Sequence, residues 1–293
     1  MESNAEVQVP LAVRLRFGRA ALQVVADEIG ADVLHIKGDA ADPSLRPGEP
    51  SGTDVDILVR PAHVAMLDRA IRVRGWRVYS TFVYGSPFGH AQTYLHDAWG
   101  YLDLHRWFPG IRVPPDVAFE RLWANRQMAD FAGIEGRVPG LAAQATLLVL
   151  NAARGARSGA DLALSWTEAS AEHRIEVERL VDDLDAHVAF AAATGDLELY
   201  REERDYRLWK VLSEGGTRSE EWWARVRSAP SIGEAVRIAA RAPLVNVEHL
   251  AIKLGRAPTR WEVVAAFFAR PLRAAVEAAD WLRAPRHRRR RTR

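Results

Sequence analysis

The chain contains no cysteine, which excludes a disulfide framework and any cysteine-based zinc site. Long apolar runs are missing too. No stretch approaches the roughly 18–20 uninterrupted apolar residues that a membrane span requires. The opening residues, MESNAEVQVP, are acidic and polar and lack the hydrophobic segment of a secretory signal, so a cytoplasmic location is expected. Lysine is almost absent: Lys37, Lys210 and Lys253 are the only three among 40 basic residues. We read this mainly as a coding bias, but it makes the position of Lys37 conspicuous.

What is present is a globular composition. Apolar residues make up 48% of the 293 positions, enough to bury a substantial core. The formal net charge of +2 conceals an uneven distribution. Residues Arg283 to Arg293, RAPRHRRRRTR, hold seven arginines and no acid; removing those seven charges leaves −5 for residues 1–282. The body is mildly acidic and the basicity sits in a tail. Such a tail either solvates a terminus or holds RNA or an acidic partner electrostatically.

Pattern and punctuation divide the chain in two. Leu11 to Ile29 has apolar residues at helical spacing and stops at Gly30. Short branched or alternating runs read as strands at Asp32–Ile36, Asp54–Val59, Trp76–Val83, His90–Leu95 and Tyr101–Trp107. Turn signals lie at Gly85-Ser86-Pro87 and Asp97–Gly100, and Pro61 opens a helix reaching about Arg74. The proline-rich Trp107–Asp116 reads as a turn region closing the sheet. From Leu141 onward the pattern is helical: Leu141–Ala153, Glu172–Ala193, Leu197–Leu212, Ser219–Val226, Ile232–Ala240, Val245–Leu254 and Arg260–Trp281. The expected fold is α+β, a mixed β-sheet with flanking helices followed by a mostly helical part. The expected units are residues 1–140, 141–282 and a basic tail, 283–293.

The chemistry concentrates in GTDVDILVRP, Gly52 to Pro61. Residues i and i+2 of a strand share a face, so Asp54 and Asp56 project together while Val55 and Ile57 face the core. Adjacent carboxylates raise each other's pKa, and replacing one by Asn is expected to leave stability unchanged or slightly raised. A hard divalent cation removes that penalty by binding carboxylate oxygen. The alternative is that one acid caps the loop and the other pairs with an arginine such as Arg60. Upstream, a strand runs into Lys37-Gly38, where a glycine lets backbone amides approach a phosphate. Downstream, Leu102-Asp103-Leu104-His105 places Asp103 and His105 on one face, a third carboxylate with an imidazole beside it. His90 and His96 read as structural. Trp222-Trp223 reads as helix packing, with base stacking as the alternative.

Taken in order, HIKGDAA, SLRPGEPSGTDVDILVRP and YLDLHRWF resemble the nucleotidyltransferase fold of the DNA polymerase β superfamily, in particular its bacterial branch of uncharacterised nucleotidyltransferases. The resemblance covers residues 31–110. It implies a transferase that moves a nucleoside monophosphate from a nucleoside triphosphate such as ATP to an acceptor hydroxyl, releasing pyrophosphate. It implies Mg²⁺, as two ions, with Mn²⁺ as a substitute, on Asp54, Asp56 and Asp103, and Asp103 as the base. Lys37, Gly38 and Arg46 would meet the triphosphate. Lys37-Gly38 stands where many members have Gly-Ser. The acceptor is a small molecule or peptide in the leading reading, given the acidic body, with RNA as the alternative. A degenerate nucleotide-binding interaction module is the non-enzymatic alternative.

Overall fold

The computed structural model describes residues 9–46, 52–83, 88–155, 159–229, 231–241, 245, 247–254, 256 and 258–269. The Gly85-Ser86-Pro87 turn, much of the loop after Arg46 and the arginine tail lie outside them. The chain divides into two units, Met1–Val149 with Ala160–Ala186, and Leu150–Gly159 with His187–Arg293.

The first unit is α+β. It begins with α1 (Leu11–Ile29), which ends at Gly30 in the left-handed conformation. Five strands follow: β1 (Val33–Ile36), β2 (Asp54–Val59), β3 (Arg77–Ser80), β4 (Ala91–His96) and β5 (Gly100–His105), with α2 (Val64–Arg72) between β2 and β3. They form one mixed sheet in the order β1-β2-β5-β4-β3. β2 and β5 run parallel, while β1–β2, β4–β5 and β3–β4 are antiparallel. The strand bounds agree with the sequence expectations to within a few residues.

The sheet has two chemically distinct faces, and the pleat decides which residue goes where. Val33, Val55, Ile57, Val59, Tyr94, Leu102 and Leu104 point to one side, where Leu22, Val25 and Ala26 of α1 and Leu67 and Ile71 of α2 complete a buried core. The alternate residues of β2 and β5, among them Asp54, Asp56, Asp103 and His105, therefore project from the opposite face. Burying the apolar set fixes the register, since a slip of one residue would turn the acids into the core.

After β5 the structure departs from expectation. The proline-rich stretch does not close the sheet part. It leads into α3 (Pro115–Ala124) and a hairpin of β6 (Gln127–Phe131) and β7 (Ile134–Val138). The hairpin leaves little signal in the sequence, because Gln127 and Met128 are exposed and its strands lack apolar alternation. Its two-residue turn also lacks a telling sequence: Ala132 and Gly133 both have positive φ, 54° and 86°, a geometry that usually selects Asn-Gly. Phe131 and Val138 of the hairpin pack with Ala20 of α1 and Ala40.

Next come α4 (Leu141–Ala152), α5 (Gly159–Leu162), a wide turn at Ala163–Thr167 and α6 (Ala171–Asp183). The expected Glu172–Ala193 helix is broken. Asp185 turns to φ 48°, and Arg112 and Val113 donate their backbone N–H groups to the Leu184 carbonyl.

The second unit is helical: α7 (His187–Thr194), α8 (Tyr206–Glu214), α9 (Arg218–Ser228), α10 (Ile232–Arg241) and α11 (Val247–Leu254), with further helix at 260–269. Leu197–Tyr200 forms a separate 3-10 turn, so the expected Leu197–Leu212 helix starts later. Thr217 and Glu220 form a reciprocal capping box that starts α9. Trp223 is 67% exposed and so does not serve mainly as a packing residue. Among the described residues no helix is long and apolar enough to cross a membrane.

Candidate active site

The parallel register of β2 and β5 sets Asp54 beside Tyr101, Asp56 beside Asp103 and Leu58 beside His105. Directly paired residues share a face, so two carboxyls from strands distant in sequence stand side by side. One ligand atom each from Asp56, Asp103 and His105 lies within 4.8 Å of the others. Two hard oxygen donors and an imidazole are a donor set that could hold a metal ion. Asp54 sits one strand step outward on the same face and is not part of that tight group; its Oδ1 accepts from the Thr53 hydroxyl at 3.4 Å.

Asp56 is the most buried of the three acids on this face, 4% exposed. Its Oδ1 lies 2.6 Å from the Lys37 ammonium and accepts from His105 Nε2 at 2.8 Å. A carboxylate offers no proton, so the proton in this contact belongs to the imidazole. Burial alone would push the Asp56 carboxyl up, but Lys37 and the His105 hydrogen bond outweigh it and hold the group well below the usual carboxylate range. Asp103 goes the other way. Burial, and then the negative Asp56, push it up to about 6, with the Thr93 hydroxyl moderating the rise. Thr93 is Asp103's register partner on β4, and its Oγ1 donates to Asp103 Oδ1 at 2.6 Å. Asp54 is also raised, by burial and by Asp56. The opposed shifts follow from the partners: Lys37 and His105 lie on Asp56, and Asp103 is left buried beside a negative neighbour.

The turn that carries Lys37 is held by a residue that the sequence reading missed. Arg19, on α1, is fully buried. It donates Nε to Asp39 Oδ1 at 2.5 Å, Nη1 to the Asp56 carbonyl at 3.2 Å and Nη2 to the Lys37 carbonyl at 3.1 Å. One guanidinium thus fixes the Lys37–Asp39 turn to β2. A signal was available: Arg19 falls at helical spacing between Leu15 and Leu22, a charge on an otherwise apolar face. Gly38, at φ 54°, leaves room for this clamp, since a Cβ there would stand 3.0 Å from Arg19 Nη2.

The remaining expected residues are placed as follows. Arg46 donates Nε to Asp161 Oδ1 at 2.7 Å, and Asp161 is 2% exposed. Arg60 pairs with Asp32 at 2.7 Å and also with Glu120, so it is not the counter-ion of the Asp54–Asp56 pair. The His90 ring packs 5.1 Å from that of His105, and His96 packs against Trp76 and Trp99.

No known family model matches this chain, and no curated protein does. Among solved structures, the chain is similar to the lincosamide antibiotic adenylyltransferase LnuA in its lincomycin-bound form, at 12% identity and a TM-score of 0.31, over 55% of this chain and 92% of that one. It is also similar to an antigenic nucleotidyltransferase-like protein from Paracoccidioides brasiliensis, at 17% identity and a TM-score of 0.37, over 61% of this chain and 93% of that one. Overlap this loose bears on no chemistry, and the functional reading rests on the side chains themselves.

Proposed function

We propose that this protein is a divalent-cation-dependent nucleotidyltransferase, moving a nucleoside monophosphate from a nucleoside triphosphate to an acceptor hydroxyl of a small molecule or peptide. One observation carries the reading: Asp56 and Asp103 are register partners on adjacent parallel strands, with Asp54 on the same face. The carboxylate oxygens suit Mg²⁺, which when bound would neutralise phosphate charge and act as a Lewis acid. Asp56 and Asp103 would hold it, with Asp54 beside them.

The chain's own groups supply the rest. Asp103, the acid of the paired strands that carries no cation of its own, is assigned as the general base. It takes the proton of the acceptor hydroxyl; the acceptor oxygen then bonds to the α-phosphorus, and the bond to pyrophosphate breaks. Thr93 holds the Asp103 carboxyl in place. The Lys37-Gly38 turn would border the triphosphate, and Arg46, paired with Asp161, would lie on the loop that follows it.

The test is transfer of label. Full-length protein is incubated with Mg²⁺, each α-labelled triphosphate in turn, and a cell lysate separated into small-molecule, peptide and RNA fractions. Label in the first or second supports the proposal, and label in RNA redirects the acceptor. No label from any triphosphate overturns the transferase reading.

A further inference from the structure

Lys37 is placed at some expense. Its backbone has φ 54° and ψ −173°, a region essentially reserved for glycine that costs a non-glycine residue on the order of 1–3 kcal/mol. Glycine here would relieve the strain, yet the position holds one of only three lysines in the chain. Its side chain is also 15% exposed, so the ammonium has given up much of its hydration. What it gains is the 2.6 Å contact with Asp56 Oδ1. The placement is enforced from the backbone side, because Arg19 binds the carbonyls of both Lys37 and Asp56.

Charge counting gives the strain a purpose. Asp54, Asp56 and Asp103 bring three formal negative charges to one face, and Lys37 removes one. Two remain, the charge of a single divalent ion.

We propose that Lys37 is a built-in cation of this site: its ammonium takes the place of a second divalent ion on Asp56, so that the chain binds one such ion where a two-ion scheme has two. The inference rests on the reading that these acids hold a divalent cation. It assigns Lys37 to the carboxylates as a permanent component, fixed by the strained turn and the Arg19 clamp. The ammonium is a compact point charge on a flexible stem, whereas a guanidinium is a broad planar fork that takes more room in a buried turn. That accounts for a lysine here in a chain whose basic residues are nearly all arginine.

The experiment counts ions on the full chain with Mn²⁺ alone, by titration calorimetry and by electron paramagnetic resonance of the free ion. Wild type should bind one ion. Lys37→Met should bind two, the first at least roughly tenfold more tightly because a positive neighbour has gone. Lys37→Gly, which also relieves the backbone strain, should behave as Lys37→Met does and guards against misfolding of the first variant. One ion in wild type and in both variants overturns this inference and leaves the metal reading standing. Two ions in wild type overturn it as well. No ion in any of the three proteins removes the metal reading and the inference together.

Discussion

Asp56 and Asp103 face each other across the parallel strand pair of the five-stranded sheet, yet their carboxyls are driven in opposite directions, one down and one up. The division comes from their partners. Lys37 and His105 both serve Asp56, whereas Asp103 has the neutral Thr93 hydroxyl.

That asymmetry separates two substitutions that the sequence alone treats alike. Asp54→Asn relieves repulsion at a partly exposed position and should leave metal-free stability unchanged or slightly raised. Asp56→Asn strips Lys37 and His105 of a buried partner and should destabilise by about 3 kcal/mol, against the expectation drawn from repulsion alone. Urea denaturation in the presence of a chelator measures both. Equal midpoints for the two variants would contradict the assignment of Lys37 to Asp56.

Asp103 gives stability a pH signature. Its folded-state carboxyl, at about 6, lies above the ordinary 3.8, so the folded chain holds this proton where the unfolded chain has released it. The penalty of ionising it is absent below about pH 4, grows as pH rises and is complete above about pH 6. Asp103→Asn lacks the penalty. Its melting temperature in chelator should match wild type near pH 4 and exceed it at pH 7. A constant difference across that range would mean that Asp103 titrates as an ordinary surface acid.

The same group should report on metal uptake. Near pH 6 Asp103 is partly protonated, and a cation bound there must expel the proton. Mn²⁺ titrations at pH 6 in two buffers of different ionisation enthalpy should differ by the heat of the released proton. At pH 8 they should agree, and Asp103→Asn should release none from this position at either pH.

Arg19 is the fourth test. Arg19→Met removes every bond from α1 to the Lys37–Asp39 turn and to the Asp56 carbonyl, and leaves Asp39 without its partner. We expect a loss of about 3 kcal/mol or more by urea denaturation. Arg19→Lys should recover little of it, because one ammonium cannot span three acceptors set around a planar fork. Full recovery would show that charge alone matters at this position.

Most of the sheet was legible in the sequence because strand period and turn residues coincide there: Asp54–Val59 carries its acids at i and i+2 and its branched residues at the alternate positions. Asp103 was legible for the same reason, between two leucines. What stayed hidden depends on pairing between distant segments. Nothing near Lys37 announces that its ammonium turns back onto Asp56, and nothing near Thr93 announces that it faces Asp103. The β6–β7 hairpin stayed hidden because Ala132 occupies a turn position that glycine or asparagine normally signals. The sequence from Glu172 to Ala193 reads as one continuous helix because Asp185, which breaks it, is not a residue that forbids helix.

The sheet order carries a consequence for how the chain comes to possess its site. β1 with β2, and β3 with β4 and β5, are antiparallel groups of neighbours in sequence and can form as local units. The β2–β5 junction alone joins the two groups, and it is where Asp56 meets Asp103. Local pairings precede distant ones during folding because less chain must be closed to reach them. The β2–β5 pairing, which brings Asp56 to Asp103, is therefore expected to form last, and it is the step that their like charges oppose. Before that pairing Asp56 and Asp103 are apart, so a cation that needs both would report that the two strand groups have joined.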